Sequence, residues 1–469
     1  MSRLTCGALL ASASLLTLAA PAVAGTDTPL GHGRFPDVVV ADDGTGYAAW
    51  VVHNAGAPDA VQFCVVPRGG AACAQQVTLA TPDELSGLEL LGGEPGQLAL
   101  VAQGAQRSYS LVWPAAALPA ASGFKRAGSD VDIEGGGVAY AGGGLFISAG
   151  PGRVQAFRAG VDAADDLFAE LPTSFTTPIS GSIGMDGATP VQVAADGDNT
   201  ELFRYTGPQP MTPESIADEG SWSGPSAVSP ALSEPTLAGG ASGLKLFGAA
   251  SPGGFPSRPQ VSGLGGAPED IQKKTDAVFE QTFAQHAATG RLYAAWRVND
   301  PDGGRIRFVK SVDGGERWSK LGDLVQSAIG GSGNGHVNLN LAATADQQGL
   351  VVYEGEVDPS NTSAEIRAVS LDVVPKHVAL ASTRKKGRSL AGPAVCIPEN
   401  GFFPAKVKGK RIVSASLSFA GTRKGGKKAT FSTEGLEPGS EHKLKAKLVV
   451  AAGGTTVVKK ISRTVAVCG

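Results

Sequence analysis

Residues 37–52 read DVVVADDGTGYAAWVV: an apolar run, an acidic and glycine-bearing turn, then a second apolar run. β-branched and aromatic residues suit a pleated strand, and Asp-Asp-Gly-Thr-Gly suits the turn between two of them. The same unit recurs as LELLGGEPGQLALVAQ from Leu88, VDIEGGGVAYAGGGLFISA from Val131 and IGMDGATPVQVAA from Ile183. It returns as PTLAGGASGLKLFGAA from Pro235, TFAQHAATGRLYAAW from Thr282 and LNLAATADQQGLVVYE from Leu339. The second runs end near Trp50, Ala102, Ser148, Ala194, Ala249, Trp296 and Tyr353, so successive spacings are 52, 46, 46, 55, 47 and 57 residues.

Each repeat has room for four short strands. Repetition at this period predicts an all-β, seven-bladed β-propeller, or a six-bladed one if one unit is miscounted. Packing blades in a ring also removes the exposed edges that a sheet-only chain must otherwise protect. Two stacked sandwiches fit the period poorly. The stretch GAPEDIQKKTDAVFEQTF near residue 270 is the only place expected to form a helical turn or two.

Ahead of the repeats, MSRLTCGALLASASLLTLAAPAVAG carries Arg3, an apolar run and the small-residue motif Ala22-Val23-Ala24. It reads as a signal peptide, residues 1–24, whose apolar run is too short to span a bilayer. A secreted protein without a membrane span is expected. With 65 Gly, 30 Pro and 18% charged residues among 469, the composition is turn-rich, and 42% hydrophobic is too apolar for a disordered chain. The net charge of −3 conceals a split: residues from Thr383 onward hold 18 basic and 4 acidic side chains, and the rest hold 22 and 39. Such asymmetry predicts two domains, a β-propeller over 25–380 and a small β-sandwich over 393–469. The basic segment 381–392 (ASTRKKGRSLAG with its flanks) is expected to be their linker.

Once Cys6 leaves with the signal, four cysteines remain, an even number that points to two disulfides in an exported chain. Cys64 and Cys73 flank a Pro-Arg-Gly-Gly turn and should face each other across a hairpin. Cys396 and Cys468 then bracket the C-terminal segment. No Cys-x-x-Cys or clustered His accompanies them, so no metal site and no cofactor is expected.

The stretch SVDGGERWSK, residues 311–320, places Ser311, Asp313, Gly315 and Trp318 in the pattern Ser-x-Asp-x-Gly-x-x-Trp. This resembles the Asp box (BNR repeat) of sialidase-like β-propellers. A shortened echo, Asp218-x-Gly220-x-Trp222, lies 96 residues upstream, twice 48. The chemistry of such a box is local: Ser and Asp bond turn amides, Gly allows positive φ, and Trp packs beneath. The resemblance implies that it staples a third-to-fourth strand turn away from the ligand funnel. The C-terminal GLEPGSEHKLKAKLVV resembles an Ig-like or fibronectin-like strand-turn-strand of appended bacterial secreted modules.

The same sialidase resemblance extends to Arg34-Phe35-Pro36, where the family uses an aromatic-Arg-hydrophobic-Pro motif, with Gly33 here replacing the aromatic. It implies an Arg that holds a substrate carboxylate with planar, two-pronged donors. The family's next Arg and its acid/base Asp fall on His53 and Asp59, so that Arg is missing. The family's Tyr nucleophile with its Glu corresponds to Tyr353-Glu354, and Arg297 is a further candidate for the arginine cluster. Tyr353 also aligns with Trp50 and Trp296, which predicts a packed strand aromatic instead. DGDNTE (196–201) and NDPDGG (299–304) have carboxylates spaced for calcium but read as hairpin turns. His336, Asn338 and Asn340 alternate before the seventh unit and would present polar groups on one side.

The leading expectation is a monomeric, secreted propeller that binds a glycan or a cell-surface protein over its funnel. A sialidase-like hydrolase is the enzymatic alternative. A scaffold held to the cell wall by the basic C-terminal module is the third. Nucleic-acid binding is not expected, because exposed aromatics do not interleave with the basic residues.

Overall fold

The computed structural model describes residues 27–466 apart from connecting stretches, chiefly 130–136, 163–167, 172–177, 251–257, 272–277, 330–337, 344–348, 358–362, 372–379 and 394–401. The proposed signal peptide, Cys6, Cys396, Cys468, His336 and Asp313 lie outside the described residues. Among the described residues the chain is all-β apart from two single turns of helix.

The strands form successive four-stranded antiparallel meanders. The second meander is typical, running Leu85–Gly92, Gln97–Gly104, Arg107–Pro114 and Lys125–Ser129 in spatial as well as chain order. Each repeat unit read from the sequence is the hairpin of a meander's first two strands. Its aligned position, Trp50 through Tyr353, is buried every time.

One strand joins the two ends of this series. Asp27–Val40 pairs through Asp27–Gly33 with Ala364–Ser370 and through Arg34–Val40 with Gly46–Val52. The register slips between Arg34 and Asp37, so Phe35 and Pro36 bulge from the ladder, where the missing N–H of Pro36 costs nothing. The first meander is therefore hydrogen-bonded to the last, Asn340–Ala343, Gly349–Val357 and Ala364–Ser370.

Burial follows the same circuit. Every apolar cluster here lies between consecutive meanders rather than inside one. Phe63 and Trp113 meet between the first and second, their rings 5.2 Å apart and perpendicular. Further clusters fill the following seams, including one around Phe247, Phe283 and Trp296. The last seam returns to the start, with Trp50 and Val38 packed against Val352 and Ile366. The first strands of neighbouring meanders are in contact all the way round. Alternating side chains on each strand thus serve two different neighbours, which is why both faces are apolar.

The C-terminal residues form two further four-stranded sheets. One contains Leu380–Lys385, Arg388–Pro393, Phe402–Gly409 and Lys428–Ser432; the other contains Thr422–Gly425, Ile412–Phe419, Glu441–Ala452 and Thr455–Ala466. They share a core in which Phe403 and Phe419 meet edge to face at 4.8 Å.

One expectation is corrected. The segment 381–392 is not a linker: Leu380–Lys385 and Arg388–Pro393 pair as a hairpin, and Leu390 is fully buried. Arg384, Lys385 and Arg388 sit at one end of the paired strands, which hides the alternation around them. Of the stretch expected to form a helical turn near 270, Glu269–Asp270 and Val278–Gln285 are strands, and 272–277 lie outside the described residues. The α-turn is Pro213–Ile216, capped by Thr212 and Ser215 reciprocally with Pro213 in the first turn. Cys64 and Cys73 are disulfide-bonded, with Cα atoms 5.5 Å apart. No helix of the described residues is long and apolar enough to cross a membrane.

Candidate ligand-binding site

The bulge at Phe35 and Pro36 sets the geometry of one end of the first meander. Phe35 has φ 52°, a left-handed conformation that a bulky residue before proline rarely adopts. Arg34 leaves the strand toward the last meander, and its Nε donates to both oxygens of Glu354, at 3.0 and 3.1 Å. Glu354 also accepts from the Phe35 amide at 2.8 Å and from Asn338 Nδ2 at 2.7 Å. Its carboxylate is 0% exposed, while the Arg34 side chain remains 12% exposed. A buried carboxylate needs such a set of donors, so Glu354 both closes the circuit of sheets and fixes Arg34. Gly33 explains the lost aromatic: a Cβ there would lie 2.1 Å from the Val51 carbonyl and 2.5 Å from the Trp50 ring.

On the other side of Phe35 lies His53, whose ring meets the Phe35 ring edge-on at 6.3 Å. His53 Nδ1 is 2.8 Å from Asp59 Oδ2. Asp59 is buried and also accepts from the amides of Asn54 and Leu85, at 3.0 and 2.8 Å. Asp59 thus ties the connection between the second and third strands to the start of the next meander. The His53 side chain is 32% exposed.

The remaining candidates separate. Tyr353 and Glu354 are neighbours in sequence but face opposite seams, as alternation requires. Tyr353 packs in the cluster with Tyr293 and Ile306, and its hydroxyl is engaged with Asp27 and Arg367. Burial first, and then the Asp27 charge, push the phenol further above its ordinary value, the reverse of an activated nucleophile. Arg297 is buried opposite Glu280 across the sixth hairpin; burial pulls its pKa down and the Glu280 charge opposes that. Asn340 Nδ2 donates to the Pro36 carbonyl at 2.8 Å, so Asn338 and Asn340 both brace the bulge.

Sequence reasoning missed a set of seam-tying groups. Asp37 accepts from the Leu90 amide at 2.6 Å and Ser182 from Leu237 at 3.0 Å, each on the next first strand, and Glu280 from Leu339 at 2.7 Å, just ahead of it. Glu89 does the same to Val138. Burial raises the Asp37 carboxyl to about 7, and burial together with the Asp37 charge holds Glu89 well above its usual range. The signal was available: a lone carboxylate inside PDVVV, LELLGG and VFEQTF interrupts an otherwise apolar strand.

The Ser311–Trp318 stretch sits at the opposite end of its meander, between the third and fourth strands. Ser311 Oγ accepts from the Gly315 amide at 2.9 Å, Gly315 has φ 107°, and Ser311 bridges to Trp318. The echo occupies the same place in the fourth meander. Asp218 accepts from the Gly220 amide, and Trp222 Nε1 donates to the Ile216 carbonyl at 2.9 Å. The segments 196–201 and 299–304 both join second to third strands, and no cluster of metal-ligating side chains occurs among the described residues.

No family model matches the chain, and no curated protein matches it. Solved structures do. A protein of unknown function from Dyadobacter fermentans aligns with TM-score 0.42 and 13% identity over 75% of this chain and 99% of that one. A family PL25 ulvan lyase with a bound glucuronate–sulforhamnose oligosaccharide gives 0.41 and 11% over 73% and 95%. The phage phi92 endosialidase gives 0.40 and 13% over 78% and 71%. At these scores the likenesses assign nothing, and the architecture rests on the strands and seams themselves.

What the cluster offers chemically is a guanidinium held from behind by a carboxylate, an imidazole held by Asp59, an aromatic ring between them and the amide of Asn338. Planar polar groups beside an apolar ring are what a polyhydroxylated ligand requires: directional bonds to hydroxyls and a flat surface for C–H groups.

Proposed function

We propose that residues 27–371 form a seven-bladed β-propeller closed by its N-terminal strand, followed by a β-sandwich from Leu380. The circuit of seams supports that reading. In it the chain is exported after loss of residues 1–24, and the Ser311–Trp318 turn is an Asp box that staples a blade. The function is binding of a glycan at the mouth beside Phe35. The observation that carries it is the convergence of Arg34 and His53 on the two sides of the strained Phe35, each braced by a buried carboxylate.

Binding is favoured over sialidase-like hydrolysis by Tyr353, which is turned into a seam with its phenol pKa raised. The test is an array of neutral and acidic oligosaccharides probed with the full chain, His53→Ala and Arg34→Lys, alongside a fluorogenic sialoside assay. Glycan binding lost in both variants, with no sialoside turnover, supports the proposal. Sialoside turnover abolished by Tyr353→Phe would replace it with the hydrolase.

A further inference from the structure

The sheet of Thr422–Gly425, Ile412–Phe419, Glu441–Ala452 and Thr455–Ala466 has one face that the core does not use. Alternation sends Leu417, Leu444, Ala446, Leu448 and Ile461 inward. The outward side chains fall into rows set by the register. One row across the sheet is Arg423, Ser418, Lys445 and Ser462; the next is Gly425, Ser416, Lys447 and Lys460. Beside them Lys443 Nζ donates to Thr464 Oγ1 at 2.8 Å. The lysines are exposed, and Glu441, first residue of its strand, is the only carboxylate in the four strands.

Lys447 and Lys460 stand directly opposite each other, a cross-strand placement in which like charges destabilise a sheet. A negatively charged partner would turn that repulsion into binding. We infer that this face docks a linear acidic polysaccharide, one bearing carboxylate or sulfate groups. The cations recur about 7 Å apart along the strand and about 5 Å across it, a flat lattice for an extended polyanion rather than a pocket. The serine and threonine hydroxyls between them pair with sugar hydroxyls. No aromatic residue stands on the face to stack nucleobases, and its apolar content is Val449 and Val458 with the exposed Val413 at the bulge beside them, too little to enter a lipid surface. None of these residues belongs to the mouth beside Phe35, so the two sites stand or fall separately.

The test immobilises polygalacturonate, dextran sulfate and neutral dextran, with DNA and phosphatidylglycerol vesicles as competing anions, and applies the full chain. Binding to one or both acidic polymers and not to dextran is expected, weakening as salt rises. The double variant Lys447→Ser/Lys460→Ser should lose binding on the order of tenfold. Its melting temperature should hold or rise, since a repulsive pair has gone, and this separates lost docking from lost folding. Lys410→Ser/Lys427→Ser removes two exposed charges elsewhere in the same unit and should leave binding close to unchanged. Equal losses from both double variants, preference for DNA or vesicles, or no retention on either acidic polymer would overturn the inference.

Discussion

The two ends of the meanders are built on different principles. At the end bearing Ser311 and Gly315, the 311–318 turn and its echo at 218–222 hold themselves: the described bonds lie within about ten residues of one another. At the end bearing Arg34, the partners are remote in sequence, and Glu354 lies 320 residues from the guanidinium it holds. The local end can lose a bond and lose only a turn. The remote end carries buried charge, a left-handed Phe35 and the junction of first and last sheets, so a single loss there reaches the whole circuit. Arrangements held by long-range ties are also where fixed, partly exposed polar groups can be presented to a ligand.

The sharpest way to break this contrast is Glu354→Ala. It strands Arg34, the Phe35 amide and Asn338 together, and removal of one partner of a buried pair costs about 3–5 kcal/mol. Urea denaturation of the variant should show a loss of that order. A loss below about 1 kcal/mol, the range of a surface pair, would mean that the junction is no more than another turn.

Next in size is a pH effect at the same remote ties. Asp37 is buried, and its proton is held to about pH 7 in the fold against an ordinary 3.8. Folding therefore favours the protonated acid. The contribution is fully present below about pH 4 and is lost as pH rises through 7, amounting to at most about 4 kcal/mol. Glu89, also shifted upward, adds in the same direction. Urea midpoints should fall between pH 4.5 and 7.5, and Asp37→Asn should flatten the slope; an unchanged slope would remove Asp37 from the account.

This contrast also explains what could be read from the chain. The repeating hairpins were legible because each unit contains its own pattern: strand, glycine turn, strand, with Trp50, Trp296 and Tyr353 at one buried position. The 311–318 turn was legible for the same reason. Arg34 and Glu354 were each recognised by likeness, but nothing local says that they touch. The role of Tyr353 followed from parity: one residue along, the side chain changes seams. The hairpin at 380–393 was hidden because its turn is basic and its one fully buried described residue, Leu390, gives no visible period. Asp37 and Glu89 take their role only from the amides that the neighbouring first strand supplies.

A mid-sized test concerns a tie of intermediate range. Cys64 and Cys73 close a short loop, for which chain entropy predicts about 2–3 kcal/mol of stabilisation. Cys64→Ala/Cys73→Ala should lower the denaturation midpoint accordingly, and reductant should do the same to the native chain but not to the variant. If reductant still destabilises the variant, another disulfide contributes, and Cys396 and Cys468 become the place to look.

The smallest expected effect probes the local end directly. Ser311→Ala removes the acceptor for the Gly315 amide within a buried turn, and an unmet buried donor costs about 1–3 kcal/mol. Gly315 itself cannot take over, since its φ of 107° fixes the amide where it is. If the turn is only a staple, the variant should melt earlier yet bind any mouth ligand as the native chain does, because the described bond from Gly315 to Ser311 stays within the turn. A Ser311→Ala protein with native stability but altered ligand affinity would show that the ends communicate. The division between self-contained turns and remote ties would then have to give way to a coupled meander, with the strand Gly303–Ser311 as the element that carries the change.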